Sequence, residues 1–142
     1  MNKKKGLISV TVGAGIIVFL IILLIIFVGW EKGNDTVKIG FVMSGSIEEK
    51  GWNGMHYAGI KAACDRVDAR LLIKENVPEF TGECKAAVRE LAKEGVGMVI
   101  LSSYGYSEEM QELVKEYPEI VFYVNSSEFH EENMTSYFVR MY

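Results

Sequence analysis

Residues 97–124 run Gly97-Met98-Val99-Ile100-Leu101, then Ser102-Ser103-Tyr104-Gly105-Tyr106, then a polar stretch from Ser107 to Tyr117, then Pro118 and Ile120-Val121-Phe122-Tyr123-Val124. The two apolar runs are five residues long and rich in β-branched or aromatic side chains, which reads as two buried strands. Between them Met110, Leu113, Val114 and Tyr117 recur at helical spacing. Ser107 is a candidate N-cap, with Glu108 and Glu109 in the positive first turn, and Pro118 ends the helix. This is a strand–helix–strand unit. Continuous apolar runs, rather than alternating ones, belong to parallel sheets covered on both faces.

Moving outward, the same rhythm repeats. Val37-Lys38-Ile39-Gly40-Phe41-Val42-Met43 is a first strand and Leu71-Leu72-Ile73 a second. Trp52, Met55, Gly59, Ala62 and Ala63 mark a helix between them. Phe80, Cys84, Ala87, Val88, Leu91 and Ala92 mark another, stopped by Gly95. Four strands alternating with amphipathic helices predict an α/β fold, a three-layer lobe built on a doubly wound parallel sheet. In such sheets ligands bind outside the carboxyl ends of the strands. Four loops qualify: Ser44 through Asn53, Glu75 with Asn76, Ser102 through Tyr106, and Asn125-Ser126-Ser127. They offer hydroxyls, amides, carboxylates and aromatic faces, a set suited to a polar, planar small molecule. None carries a Walker-type lysine or a G-x-G-x-x-G, so nucleotide phosphates are poorly served.

The amino terminus has another character. Lys3, Lys4 and Lys5 precede an uncharged stretch from Gly6 to Trp30, within which Leu7–Val28 is 22 residues rich in Ile, Leu, Val and Phe. An apolar helix of about 20 residues spans a bilayer core. The lysines keep its start cytoplasmic, and Trp30 suits the far interface. The expected organisation is a basic cytoplasmic start (1–6), a transmembrane signal-anchor helix (7–29), a linker (30–36) and an extracytoplasmic domain (37–142) in the cell membrane. A cleaved signal peptide is the alternative, but the end of the run offers no small-residue cleavage site.

Composition narrows the function classes. The 142 residues carry a net charge of −4 with no basic patch beyond the terminal lysines, which disfavours nucleic-acid binding. Two cysteines, Cys64 and Cys84, exclude a disulfide-dense scaffold and a four-cysteine zinc site. Both are expected as unpaired buried thiols. His56 and His130 are too few for a His-rich metal site. His-Glu-x-x-His, Gly-x-Ser-x-Gly and Cys-x-x-Cys are all missing, so no enzyme, metal or cofactor is expected.

Several blocks carry a family resemblance. They are Glu49-Lys50-Gly51-Trp52-Asn53 with His56 and Gly59, Glu75-Asn76-Val77-Pro78-Glu79, Ser102-Ser103-Tyr104-Gly105-Tyr106, Lys115-Glu116-Tyr117-Pro118, and Asn133 through Tyr142. From Lys38 to Tyr142 the chain resembles the N-terminal lobe of basic membrane protein (BMP) family substrate-binding proteins of ABC transporters, the PnrA-like group. The resemblance implies a type I periplasmic-binding fold whose two lobes close on a purine nucleoside or related base. It also implies ABC permease subunits as partners, and a chain that continues past Tyr142. The family often has Asp where Glu49 stands, and usually a different loop from Asn125-Ser126-Ser127. A sensor ectodomain working through downstream signalling domains is the alternative role.

The residues that resemblance and loop position select for ligand are Trp52, Asn53, Glu49, Glu75, Ser103, Tyr104, Tyr106, Asn125 and Ser126. Each has a plainer reading. Trp52 can be a core residue at a helix start, and Asn53 a helix cap. Glu49 can close a capping box with Ser46, and Glu75 can be a solvated loop acid. His56 reads as packing or orientation. Asn125-Ser126-Ser127 and Asn133-Met134-Thr135 also fit the short glycosylation pattern.

Overall fold

The computed structural model describes residues 19–24 and 36–138. The chain divides into two compact units, 1–35 and 36–142. Residues 19–24 are helical. Among the described residues no helix is long and apolar enough to cross a membrane, and the rest of the expected anchor, 7–18 and 25–29, lies outside them.

The second unit is built on five parallel strands: β1 (Lys38–Val42), β2 (Arg70–Lys74), β3 (Met98–Leu101), β4 (Val121–Asn125) and β5 (Met134–Tyr137), in the order β2-β1-β3-β4-β5. Helix α1 (Trp52–Arg66) connects β1 to β2, α2 (Glu83–Lys93) connects β2 to β3, and α3 (Ser107–Glu116) connects β3 to β4. The chain steps one way from β1 to β2 and the other way from β2 through β4. Right-handed crossovers therefore put α1 on one face and α2 with α3 on the opposite face. The register pairs Gly40 with Leu72 and Val99, and Val99 with Phe122.

The main core fills the α2–α3 face. Val42, Val99, Leu101, Phe122 and Val124 from the strands meet Val88 and Leu91 of α2 and Met110 and Leu113 of α3. Burying each such side chain contributes about 1.5–3 kcal/mol before chain entropy is counted. Outside this core Arg89 of α2 pairs with Glu116 of α3 at 2.7 Å, and Lys85 pairs with Glu112.

The opposite face is more thinly covered. Phe41 and Met43 are fully buried, yet Val121 is 42% and Tyr123 38% exposed. Helix α1 contributes only Asn53 and Cys64 as buried residues, with Ile60 half-buried between them. Of the residues whose spacing marked this helix, Trp52 is half-buried, while Met55, Gly59, Ala62 and Ala63 are exposed. The apolar residues of α1 are spread round its axis, so spacing alone does not identify its buried face.

Three other expectations are corrected. Phe80 does not open the α2 stripe. It lies in the preceding loop, 69% exposed and at φ +58°, and the helix starts only after Gly82. Ser107 does not cap α3 from outside, because a 3₁₀ turn, Tyr104–Tyr106, runs straight into that helix. Ser107 is its first residue, and its hydroxyl bonds that of Ser127 at 2.5 Å. A fifth strand was not foreseen. Met134–Tyr137 is short and half polar, and the ladder to β4, not its own pattern, makes it a strand.

Candidate functional site

The carboxyl ends of β1, β2, β3 and β4 converge, as the fold rule expects, and bring their loops together. Backbone bonds lace the first two: Met43 N donates to Lys74 O at 3.0 Å, Val77 N to Met43 O at 3.0 Å, and Asn76 N to Gly45 O at 3.1 Å. Asn76 takes a left-handed conformation (φ +55°), which an Asn side chain tolerates well.

The β1–α1 loop is packed tightly around its glycines. A Cβ on Gly45 would fall 2.4 Å from Asn53 Nδ2 and 2.6 Å from Glu49 Oε2; one on Gly54 would fall 1.8 Å from the Glu49 carbonyl oxygen. Asn53 is buried inside the first turn of α1, and its Nδ2 donates to Glu49 Oε2 at 2.6 Å. Asn53 is thus no helix cap; Gly51 holds that position without a side-chain bond. No capping box joins Ser46 to Glu49. The Ser46 hydroxyl instead accepts from Glu48 N at 3.2 Å and donates to Glu75 Oε1 at 3.1 Å. Glu75 Oε1 also accepts from Ile47 N at 2.7 Å, so this acid is bound to the neighbouring loop.

Trp52 is half-buried, and its indole Nε1 donates to the Ser102 carbonyl at 2.9 Å. That bond pins the side chain across the end of β3, outside the main core. His56 lies one helical turn on. Its ring centroid is 4.4 Å from that of Trp52, and its Nδ1 is 2.9 Å from the Trp52 carbonyl oxygen. A carbonyl only accepts, so Nδ1 carries the proton. His56 continues to Tyr137 at 5.9 Å, and Tyr137 stacks on Tyr123 at 5.0 Å and 14°. A run of aromatic rings thus crosses from the start of α1 to β4 and β5. Burial pushes the Tyr137 phenol above its usual range.

The other selected residues divide. Tyr104 is 54% exposed on the 3₁₀ turn, and the half-buried Ser103 accepts from Gly105 N at 3.2 Å. Tyr106 is fully buried, its hydroxyl donating to the Val77 carbonyl at 2.7 Å, and burial raises its pKa. It ties the β3–α3 loop to the β2–α2 loop from the core side. Asn125 is buried at the end of β4, and Ser126, at φ +55°, donates to its Oδ1 at 2.8 Å. Neither glycosylation pattern presents an amide that is both exposed and unbonded. Asn125 is buried, and Asn133 Nδ2 serves three carbonyls, of Val114, Tyr117 and Ile120, at 3.0–3.1 Å.

Among the described residues, four buried side-chain atoms have no hydrogen-bond partner: Asn53 Oδ1, Ser102 Oγ, Asn125 Nδ2 and Ser136 Oγ. Three of them stand at the loop-facing ends of the elements just described. Leaving a buried polar group unpaired costs about 1–3 kcal/mol, so such a concentration marks a place where a partner is expected. Ser102, Ser136 and Tyr137 were not singled out from sequence. Ser102 sat in a loop already marked, directly after β3, and that position was the available signal. Among the described residues no group of His, Cys, Asp and Glu could hold a metal ion.

Residues 36–142 match the family described as ABC transporter substrate-binding protein PnrA-like, or Bmp. The chain belongs to this family. A purine-binding protein of Brucella abortus (strain 2308) is 25% identical to this Bmp chain over 118 residues, covering 80% of the chain and 33% of the relative. The Bmp chain thus spans about a third of that relative's length. Its fold is similar to that of an ABC transporter solute-binding protein from Conexibacter woesei DSM 14684, with TM-score 0.64, 18% identity and coverage of 72% of this chain and 35% of that one. It is also similar to a transcriptional activator of the comK gene from Bacillus halodurans, with TM-score 0.61, 23% identity and coverage of 70% and 33%. A putative lipoprotein fragment from Peptoclostridium difficile 630 gives TM-score 0.61 at 13% identity, with 72% of this chain matched to 85% of that one.

Proposed function

We propose that this chain supplies one wall of an extracytoplasmic solute-binding site, tethered to the cell membrane by its amino-terminal segment, that captures a purine nucleoside or a related base for an ABC transporter. The observation that carries the reading is the set of unpartnered buried groups, Asn53 Oδ1, Ser102 Oγ and Asn125 Nδ2, at the loop-facing ends of α1, β3 and β4, together with Trp52, whose N–H is bonded to the Ser102 carbonyl. One acceptor, one donor and a hydroxyl that can do either complement the edge of a purine, and an aromatic face suits its plane. Tyr104 and Ser103 sit on the adjacent rim. Membership of a substrate-binding family and the purine-binding relative point to the same ligand class. The role is capture and release rather than catalysis. A second lobe closing over the ligand would bury it, and an ABC permease would receive it.

Calorimetric titration of the protein isolated from native membranes with adenosine, guanosine and their free bases tests this. Saturable binding of at least one is expected. Its failure with all four refutes the purine reading. The intact mass of the same preparation shows whether the working protein has the length of its relatives.

A further inference from the structure

We propose that Glu75 is a positioning residue, whose carboxylate holds the β1–α1 loop in the shape that presents Asn53 and Trp52, and that it does not itself contact ligand. One carboxylate oxygen, Oε1, takes two bonds from the start of that loop: the Ile47 amide at 2.7 Å and the Ser46 hydroxyl at 3.1 Å. The Ser46 hydroxyl then accepts the Glu48 amide at 3.2 Å, and Glu49 N donates to Ser46 O at 3.1 Å. Three consecutive residues therefore take their conformation from one acid 28–29 positions away in sequence. Bonds from a charged acceptor to N–H and O–H donors are stronger than neutral ones, so a single exposed acid can fix a polar loop.

The next link carries this order into the site. Glu49 Oε2 accepts from Asn53 Nδ2 at 2.6 Å, and the closeness of Gly45 and Gly54 to that pair leaves the loop no slack. A shift at Ser46 and Ile47 has to move Glu49, and moving Glu49 releases the Asn53 amide. The anchor itself is firm. Lys74, Asn76 and Val77 on either side of Glu75 all bond to β1 or to its following loop. Glu75 thus acts as a rivet between two strand ends, and the loop it holds is the one that begins α1.

The experiment compares wild type, Glu75→Ala and Glu75→Gln in the full chain. It reads amide hydrogen exchange at Ile47, exchange at the core amide of Val99, and the dissociation constant for guanosine. Only the affinity arm rests on the purine-capture reading. In Glu75→Ala, Ile47 exchange is expected to rise at least tenfold and guanosine affinity to fall at least fivefold, with Val99 unchanged. Glutamine keeps the Oε1 acceptor, so Glu75→Gln is expected to restore both quantities to within about threefold of wild type. Unchanged Ile47 exchange in Glu75→Ala overturns the proposal. Loss of affinity in Glu75→Gln with Ile47 still protected also overturns it, because the charge would then be acting on ligand directly. If wild type binds neither guanosine nor adenosine nor either free base, the purine reading fails, and the exchange at Ile47 alone decides the role of Glu75; if it binds one of the others instead, that compound replaces guanosine in the affinity arm.

Discussion

Replacing Trp52 by alanine removes two separable contributions, and a phenylalanine variant tells them apart. One is the aromatic face of a side chain that adjoins Asn53 in sequence and is bonded to the Ser102 carbonyl. In proteins that bind single-stranded nucleic acids, stacking a base on such a face contributes about 1–3 kcal/mol by alanine substitution. The other is the tether from Nε1 to the Ser102 carbonyl at 2.9 Å. A part-buried bond of this kind contributes about 0.5–1.5 kcal/mol net. Trp52→Phe keeps a ring but loses the tether, so purine nucleoside affinity is expected to fall about twofold to tenfold at about 1.4 kcal/mol per decade. Trp52→Ala loses both, and a fall of at least about tenfold is expected. Calorimetry on wild type and both variants measures this, with urea unfolding run in parallel so that lost stability is not mistaken for lost contact. An unchanged dissociation constant in Trp52→Ala refutes the reasoning, and Trp52 would then be only a peg between α1 and the end of β3.

Tyr106→Phe deletes the buried bond to the Val77 carbonyl and is expected to cost about 1–2 kcal/mol, lowering the melting temperature by roughly 4–10 °C; a melting point within 1 °C of wild type by circular dichroism contradicts it. Gly54→Ala drives a methyl into the Glu49 carbonyl oxygen and is expected to destabilise by about 1–3 kcal/mol, with a weakened ligand site; full stability in urea shows that the loop can yield. The Glu112 and Glu116 carboxyls are held below the usual range, first by their hydrogen bonds to Lys85 and Arg89 respectively. Their folded pKa values lie below the unfolded ones, so their contribution is present above about pH 4.3 and is lost as pH falls through the folded values. The urea midpoint of wild type is therefore expected to drop more between pH 5 and pH 3 than that of a Glu112→Gln, Glu116→Gln double variant, and equal drops contradict this.

Much of the fold was legible in the sequence because its signals are local. The apolar runs at β1 to β4 are short and bounded by polar loops, and the stripe of α3 recurs at its own helical period. Where the signal was weak, the reading slipped in a physical way. Helix α1 carries small apolar residues on more than one side, so its buried face depends on what lies against it. β5 alternates a buried Met134 with polar Thr135 and Ser136, and is a strand only because β4 offers its edge.

The sequence by itself determined the class of the fold, the four loops that meet at one edge of the sheet, and the family. Each follows from side-chain period, loop chemistry and short motifs within about ten residues of one another. The tertiary structure alone decided what each loop residue does. Tyr104 and Tyr106 stand two positions apart with the same side chain, yet one is exposed and the other buried with its hydroxyl on Val77. Glu75 looks like any loop acid until Ile47 and Ser46 are seen on its carboxylate. Roles of this kind arise between segments 28–50 residues apart, as with Trp52 and Ser102. They exist only once the strands have brought those segments together.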